Sequence, residues 1–286
     1  LFLGAGRRVT LAEMFSNRGF EVYSYEVDLF CPISTSATVI SGLRWDDDSI
    51  ADHIAETIKV KKIDLILPLQ DEAIEICSKI PNAVCSDFTA SKTCYNKKMF
   101  EEFMLSNFSE IYPCTNDHEK TIEKHMYGYA SRGIKIHDSI VNYKDDCIYQ
   151  SFKTGKEYTV DAYFDKNSNF VNACPRLRIR VAGGEVVDSR VQNFKELCSH
   201  TKIVGERLGL IGPICAQYIV QPDGKIYLFE INARFGGGST LSIHAGFDMI
   251  DMIKKEYILK NNVCSSDYHI NYGTYMRRFF KDVYWA

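Results

Sequence analysis

Residues 224–238 read Gly-Lys-Ile-Tyr-Leu-Phe-Glu-Ile-Asn-Ala-Arg-Phe-Gly-Gly-Gly, a strand pattern that runs into a glycine-rich loop. Side chains alternate between the faces of a strand, so we expect Glu230 and Asn232 on one face, with Cα atoms roughly 6.6 Å apart. A carboxylate and an amide oxygen at that separation can bind one Mg²⁺ together with phosphate oxygens and water. Arg234 has the same parity and could neutralise phosphate charge. The alternative is an ordinary edge strand with a polar face.

The composition is ordinary for a soluble globular protein of two or three subdomains. The chain has 286 residues, of which 45% are hydrophobic and 25% are charged. Lys and Arg number 34 against 37 Asp and Glu, and the net charge of −3 argues against a dedicated nucleic-acid-binding protein. No run approaches roughly eighteen apolar residues, so no membrane span is expected. The ten cysteines form no Cys-x-x-Cys pair, which predicts a reducing, cytoplasmic location.

The first part of the chain has the pattern of a parallel α/β unit. A strand at residues 1–3 meets the turn Gly4-Ala5-Gly6, and helix, strand, helix and strand patterns follow up to about residue 67. A Gly-x-Gly turn before a helix could hold a dinucleotide pyrophosphate, but Val9 replaces the third glycine of that fingerprint. A structural turn or a substrate-contacting loop is therefore favoured over a nicotinamide-cofactor site.

The middle of the chain contains a second candidate for phosphate binding. A helix is predicted from about Ser91 to Ser106, with Lys97 near its start. Residues 121–136 read as two antiparallel strands, the first carrying Lys124, joined by a loop of small residues at 128–133. The backbone N–H groups of such a loop suit phosphate oxygens. A plain hairpin is the alternative.

Two further patterns bear on the same site. Arg176, Arg178 and Arg180 alternate along a predicted strand, which indicates either an anion-binding face or a solvated one. If Val220 pairs with Lys225 across the turn at residues 221–224, then Gln217 lies opposite Leu228, on the face that carries Glu230 and Asn232. A slip of one residue would remove Gln217 from that face.

These elements, in this order, resemble the ATP-grasp superfamily, in particular its carbamoyl-phosphate-synthase-like branch of carboxylate–amine ligases. Asn96-Lys97 resembles the family's Asp-Lys, residues 124–133 resemble its glycine-rich flap, and residues 150–157 resemble its nucleotide-binding linker. Gln217 with Glu230-Ile231-Asn232-Ala233-Arg234 resembles its metal and phosphate centre. The implied fold is α/β: a Rossmann-like pre-ATP-grasp domain (1–90), a small lobe with the phosphate flap (91–148) and a C-terminal lobe with the metal centre (149–286), the two lobes sandwiching ATP.

The resemblance also implies roles for individual residues. Lys124 and Arg234 would act in catalysis, and Mg²⁺, with Mn²⁺ as an alternative ion, would be the metal. The implied nucleotide-binding residues are Lys97, Lys124, Gly128, Ser131, Gly133, Gln150, Phe152 and Glu157. The implied metal ligands are Gln217, Glu230 and Asn232. The candidate substrate contacts are Arg178, Arg180, Arg190 and Gly237.

The function implied by the resemblance is ATP-dependent joining of a small carboxylic acid to an amine through an acyl phosphate, with release of ADP and phosphate. The expected partners are these small molecules and a second copy of the chain in a homodimer, with no nucleic acid and no membrane. Departures from the family pattern, such as His125 for proline and Gln217 for a carboxylate, leave open a non-catalytic ATP-binding or regulatory protein.

Overall fold

In the computed structural model the described residues (1–114, 120–127, 133–138, 143–279 and 281–285) form three β-sheets flanked by α-helices. The strands are β1 Phe2–Leu3, β2 Tyr23–Glu26, β3 Thr38–Ser41, β4 Leu67–Pro68, β5 Thr121–His125, β6 Lys135–His137, β7 Cys147–Ser151, β8 Lys156–Phe164, β9 Phe170–Ala182, β10 Glu185–Val191, β11 Gly212–Val220, β12 Ile226–Asn232 and β13 Tyr275–Arg277. The helices are α1 Val9–Ser16, α2 Ile50–Lys61, α3 Glu72–Cys77, α4 Phe88–Tyr95, α5 Lys97–Asn107, α6 Lys195–Leu208, α7 Ser239–His244 and α8 Met249–Ile253.

The first sheet is parallel, with strand order β3-β2-β1-β4, and it confirms the predicted α/β unit. The two central strands of this order, β2 and β1, and the edge strand β4 carry buried residues, as expected for a sheet whose strands alternate with helices, whereas β3 at the other edge is partly exposed. The unit packs against the last third of the chain. Phe15 contacts Phe235 edge to face with ring centroids 6.2 Å apart, and Arg18 forms a 2.7 Å ion pair with Asp248.

The other two sheets are a three-stranded sheet, β6-β5-β7, and a six-stranded antiparallel sheet, β12-β11-β8-β9-β10-β13. Along β8, Val160, Ala162 and Phe164 pack into a core with Leu197 and Val204 of α6. The intervening residues of β8 face the opposite side of the sheet, where the candidate site lies. The division into domains at residues 90 and 148 stays a prediction.

The predicted helix from Ser91 to Ser106 is wrong in one respect, because the chain forms two helices that meet at Asn96. Asn96 has extended backbone angles (φ −86°, ψ 107°), and its side-chain oxygen accepts hydrogen bonds from the N–H groups of Lys98 and Met99. An asparagine with this geometry is a favoured N-cap. The break makes Lys97 the first residue of α5, where its N–H donates to the carbonyl of Met126 at 3.1 Å.

The predicted pairing of β11 with β12 is also corrected. Val220 pairs with Ile226 rather than with Lys225, and Gln217 lies opposite Glu230 rather than Leu228. The register shifts between these positions, so that one extra residue, Phe229, forms a β-bulge. Gln217 is therefore a direct cross-strand neighbour of Glu230.

No helix in the described part of the chain is both long and apolar enough to cross a membrane. All ten cysteines are free thiols.

Candidate active site

A cavity of about 660 Å³ lies between the parallel α/β unit and the face of the six-stranded sheet that is turned away from α6. Its floor is formed by side chains of β8, β9, β11 and β12. Its walls come from the turn after β1, from residues 69–72, from the β9–β10 turn and from the glycine loop 236–238. Pockets at the junction of two structural units are a usual place for small-molecule sites.

The predicted metal ligands are brought together on the cavity floor. The Asn232 Nδ2 donates to Glu230 Oε1 at 2.9 Å, so the two side chains share a face, as the strand parity predicted. Gln217 lies opposite Glu230, and its Oε1 accepts from Arg178 Nη1 at 3.0 Å. One carboxylate and two amide carbonyls are hard oxygen donors that fit Mg²⁺, which takes its remaining ligands from phosphate and water. No cluster of three His, Cys, Asp or Glu side chains suited to a metal occurs in the described ranges, so retention of the ion would need the phosphates.

Arg234 is fixed by a carboxylate from the parallel α/β unit. Its Nε and Nη2 bind the two oxygens of Asp71 at 2.8 and 2.6 Å, and both side chains are 13% exposed. The Nη2 also donates to Asn232 Oδ1 at 3.0 Å, and Nη1 donates to the Phe235 carbonyl at 3.2 Å. Four of the five guanidinium N–H groups are thus used, which leaves one on Nη1 for a substrate oxygen.

Lys124, on β5, is buried and is not among the residues that line the cavity. Its Nζ donates to Gln150 Oε1 at 2.7 Å and lies 4.8 Å from the centroid of the Phe229 ring. Burial lowers the pKa of Lys124 to about 8, an effect that Glu230 and Glu157 oppose by their negative charge. Because burial disfavours the charged form of this ammonium group, a bound anion would stabilise that form. Lys124 is therefore suited to binding an anion such as phosphate.

Of the other predicted nucleotide-binding residues, Gln150 contacts Lys124, and Lys97 and Glu157 act on it through their charges. Glu157, on β8, lies 3.5 Å from Arg178 Nε and is half exposed, so its carboxylate is accessible. The N–H of Phe152 already donates to the Lys120 carbonyl at 2.7 Å. Gly133 has a positive φ of 70° with open space around it. The positions of Gly128 and Ser131 lie outside the described residues.

The predicted arginine face is only partly at the cavity. Arg178 and Gly237 line it, together with Arg176. Arg180 and Arg190 are not among its lining residues: Arg180 pairs with Asp188 at 3.0 Å, and Arg190 is exposed on β10 near Gly273. The physical reason is a pair of register shifts between β9 and β10, which interrupts the regular alternation of the strand.

Three residues of the site were not predicted. Asp71 follows β4 at the carboxyl end of a parallel strand, a position that commonly contributes to ligand sites and could have marked it. Arg8, just after the first turn, donates to the carbonyls of Gly236 and Leu69 at 3.1 Å each. Asp161 is fully buried on β8, where a charged residue among apolar ones is itself a signal.

The turn Gly4-Ala5-Gly6 binds a carboxylate of the chain itself. The N–H groups of Ala5 and Gly6 donate to Glu26 Oε1 at 2.7 and 3.0 Å, and the Ser24 hydroxyl donates to the same oxygen at 2.6 Å. The N–H groups that would cradle a dinucleotide pyrophosphate are therefore occupied, which favours the structural-turn interpretation of this loop.

A family model and several solved structures match this chain. Residues 144–272 match the family described as ATP-grasp in the biosynthetic pathway with Ter operon. No curated protein is significantly similar to the chain in sequence.

Among solved structures, N5-carboxyaminoimidazole synthetase from Staphylococcus aureus matches with a TM-score of 0.70 and 14% identity over 94% of this chain and 79% of that one. L-amino acid ligase from Bacillus licheniformis matches with a TM-score of 0.68 and 14% identity, over 93% and 75%. The biotin carboxylase domain of Hydrogenobacter thermophilus 2-oxoglutarate carboxylase, solved with MgADP, ADP and bicarbonate, matches with a TM-score of 0.72 and 14% identity, over 96% and 72%. The chain therefore has the ATP-grasp fold, as the sequence predicted.

Proposed function

We propose that this protein is an ATP-dependent ligase that joins a small carboxylic acid to an amine and releases ADP and phosphate. The observation that carries the proposal is the clustering of Glu230, Asn232 and Gln217 on the floor of one cavity. The buried ammonium of Lys124 lies close enough to Glu230 for that carboxylate to raise its pKa. The neighbours solved with ADP or MgADP support the same assignment. The small-molecule substrates, the cytoplasmic location, the homodimer and the choice between Mg²⁺ and Mn²⁺ stay predictions.

In this proposal the chain positions ATP and the acid for in-line phosphoryl transfer. Lys124 and Lys97 bind phosphate oxygens, and the remaining Nη1 hydrogen of Arg234 donates to the transferring phosphoryl group, because charge stabilisation dominates this chemistry. Glu230, Asn232 and Gln217 would hold Mg²⁺, which supplies neutralisation of phosphate charge.

Two bond exchanges follow. An oxygen of the substrate carboxylate attacks the γ-phosphorus, the bond to the β,γ-bridging oxygen breaks, and ADP leaves. The amine nitrogen then attacks the acyl carbon, the C–O bond to phosphate breaks, and the amine gives up a proton to solvent. Closure of the cavity around the acyl phosphate would protect it from water.

The proposal is tested by ADP release in a matrix of acids and amines. We expect ADP to appear only when an acid is present, and hydroxylamine to trap the acyl phosphate as a hydroxamate in place of the amine product. Equal ADP release with and without acid would contradict the proposal. Tight nucleotide binding without ADP release from any pair would instead favour a regulatory ATP-binding protein.

Nucleotide affinity is expected to fall as the pH rises above about 8, because the free protein loses the Lys124 charge there, whereas an ordinary lysine keeps it to above pH 10. Calorimetric titration with Mg²⁺ and a non-hydrolysable ATP analogue should show a roughly tenfold weaker Kd at pH 9.5 than at pH 7. A Lys124→Met variant is the control: it should bind weakly with little pH dependence. The same pH dependence in both proteins would assign the titration to another group.

A further inference from the structure

The loop Gly236–Gly238 runs across the face of the six-stranded sheet. A Cβ on Gly236 would lie 2.5 Å from the Cys215 sulfur on β11, and a Cβ on Gly238 would lie 2.3 Å from Arg176 Nη1 on β9. Strand β8 lies between these two, and the long Arg176 side chain reaches from β9 towards the loop. Side chains at either end would push the loop away from the sheet.

The backbone carbonyl groups of this loop accept hydrogen bonds, whereas its backbone N–H groups donate none within the described residues. Arg8 donates to the carbonyl of Gly236 at 3.1 Å, Arg278 donates to that of Gly237, and the N–H of Leu241 donates to that of Gly238 at 3.0 Å. The three glycine N–H groups have no hydrogen-bond partner within the described part of the protein, and all three glycines line the cavity. Unpaired donors of this kind need a ligand or water.

Beneath the loop lies a cation that is almost completely withdrawn from water. Arg176 is 1% exposed, and its Nε and Nη2 bind Asp161 at 2.6 and 3.1 Å. Its Nη1 lies against Gly238 and has no partner. Asp161 accepts two more hydrogen bonds, from Ser239 and Ser242, so the guanidinium is locked in place. Asp161 balances the charge of Arg176, so what the guanidinium offers a ligand is the unpaired Nη1 donor, and a buried donor without a partner is costly.

The Arg176 end of this wall and the proposed metal ligands lie on different strands of one cavity. Strand β9, which carries Arg176, is three strand spacings from β12, which carries Glu230, or roughly 14 Å between backbones. The exposed Arg7 lines the same cavity, and no partner for its side chain occurs in the ranges that the structure describes. The cavity therefore has anion-binding groups beyond those needed for one reacting carboxylate.

We propose that the N–H groups of Gly236–Gly238, backed by Arg176, bind a second carboxylate, one that is carried by the acid or by the amine substrate and is not phosphorylated. The assignment of this carboxylate to a substrate rests on the proposed function. The existence of the anion-binding site does not, because it is argued from the cavity alone. The substrate class is then a dicarboxylic acid joined to an amine, or a monocarboxylic acid joined to an amino acid.

Gly237 offers the sharpest test, because a Cβ there would meet no atom within 4 Å and its φ is not positive. Gly237→Asp places a competing carboxylate at the site, and Gly237→Asn is the matched neutral control. Arg176→Gln is less informative, since it leaves Asp161 buried without its cation and is expected to destabilise the fold.

Binding is measured by calorimetry with Mg²⁺ and a non-hydrolysable ATP analogue present. One arm compares succinate, glutarate and adipate with butyrate, pentanoate and hexanoate. The other compares alanine and aspartate with ethylamine, in the presence of butyrate. We expect one arm to show at least tenfold tighter binding of the probe with the extra carboxylate, which identifies its source. That advantage should fall at least tenfold in Gly237→Asp and less than about threefold in Gly237→Asn.

Three outcomes are decisive. If neither arm shows a preference for the extra carboxylate, or if Gly237→Asp and Gly237→Asn behave alike, the inference is overturned, even when acid-dependent ADP release upholds the ligase. If the preference is present and charge-sensitive but no acid–amine pair releases ADP, the anion site stands and the ligase proposal fails. Preference together with turnover supports both.

Discussion

Glu230→Gln is expected to reduce acid-dependent ADP formation by about 10²–10³-fold while leaving the fold intact. Glu230 is the only carboxylate among the three proposed metal ligands, and its replacement leaves three neutral amide groups facing the phosphates. Removing one preorganised charge-stabilising group from a water-poor site typically costs this much in rate. The measurement is coupled-assay ADP release at saturating ATP, with the melting temperature recorded for each protein.

The matched control is Glu56→Gln, the same substitution on the exposed side of α2. It should leave turnover within about twofold, because single exposed charges contribute little. Raising the Mg²⁺ concentration should recover part of the Glu230→Gln activity, since the lost charge weakens metal retention. Wild-type turnover in Glu230→Gln at ordinary Mg²⁺ would remove Glu230 from the proposed mechanism.

Asp71→Asn is expected to give the second large effect, although Asp71 belongs to the parallel α/β unit and not to the six-stranded sheet. The substitution removes the charge that binds both Nε and Nη2 of Arg234. We expect turnover to fall about 10²-fold, because a slightly displaced charge-stabilising group is poorly effective. The free energy of unfolding should fall by about 2–3 kcal/mol, the usual cost of removing one partner of a charge-assisted hydrogen bond.

Asp248→Asn is the matched control, because it removes the same charge from a similar ion pair. Asp248 binds Arg18 and so joins the parallel α/β unit to the last third of the chain, away from the cavity. It should lower stability with little change in turnover. A double-mutant cycle of Asp71→Asn with Arg234→Gln should show strong coupling in turnover, because both changes act on one guanidinium. Additive effects would mean that Asp71 acts independently of Arg234.

Local sequence patterns were enough to predict much of the candidate site. The residues that they missed are positioned by contacts between distant parts of the chain. Strand parity was enough to place Glu230 and Asn232 side by side, because both lie on one short strand. The Asp71–Arg234 pair joins residues 163 positions apart, and no spacing rule connects them. The helix break at Asn96 was readable in principle, since asparagine favours N-caps over helix interiors. Arg180 was misplaced because regular alternation was assumed across a register shift.

The bulge at Phe229 has a consequence for which changes this region can tolerate. Before it, Ile226 and Leu228 face the core, and after it Ile231 and Ala233 do, so the extra residue changes the phase of the strand. Without that change, strict alternation would put Leu228 and Glu230 on one face, and either a leucine would enter the polar cavity or the carboxylate would enter the core. The placement of the proposed metal ligands is thus set by the number of residues in the strand rather than by the identity of any one side chain. Conservative replacements of the apolar residues Ile226, Leu228 and Ile231 should be tolerated here, whereas single-residue insertions and deletions should be selected against.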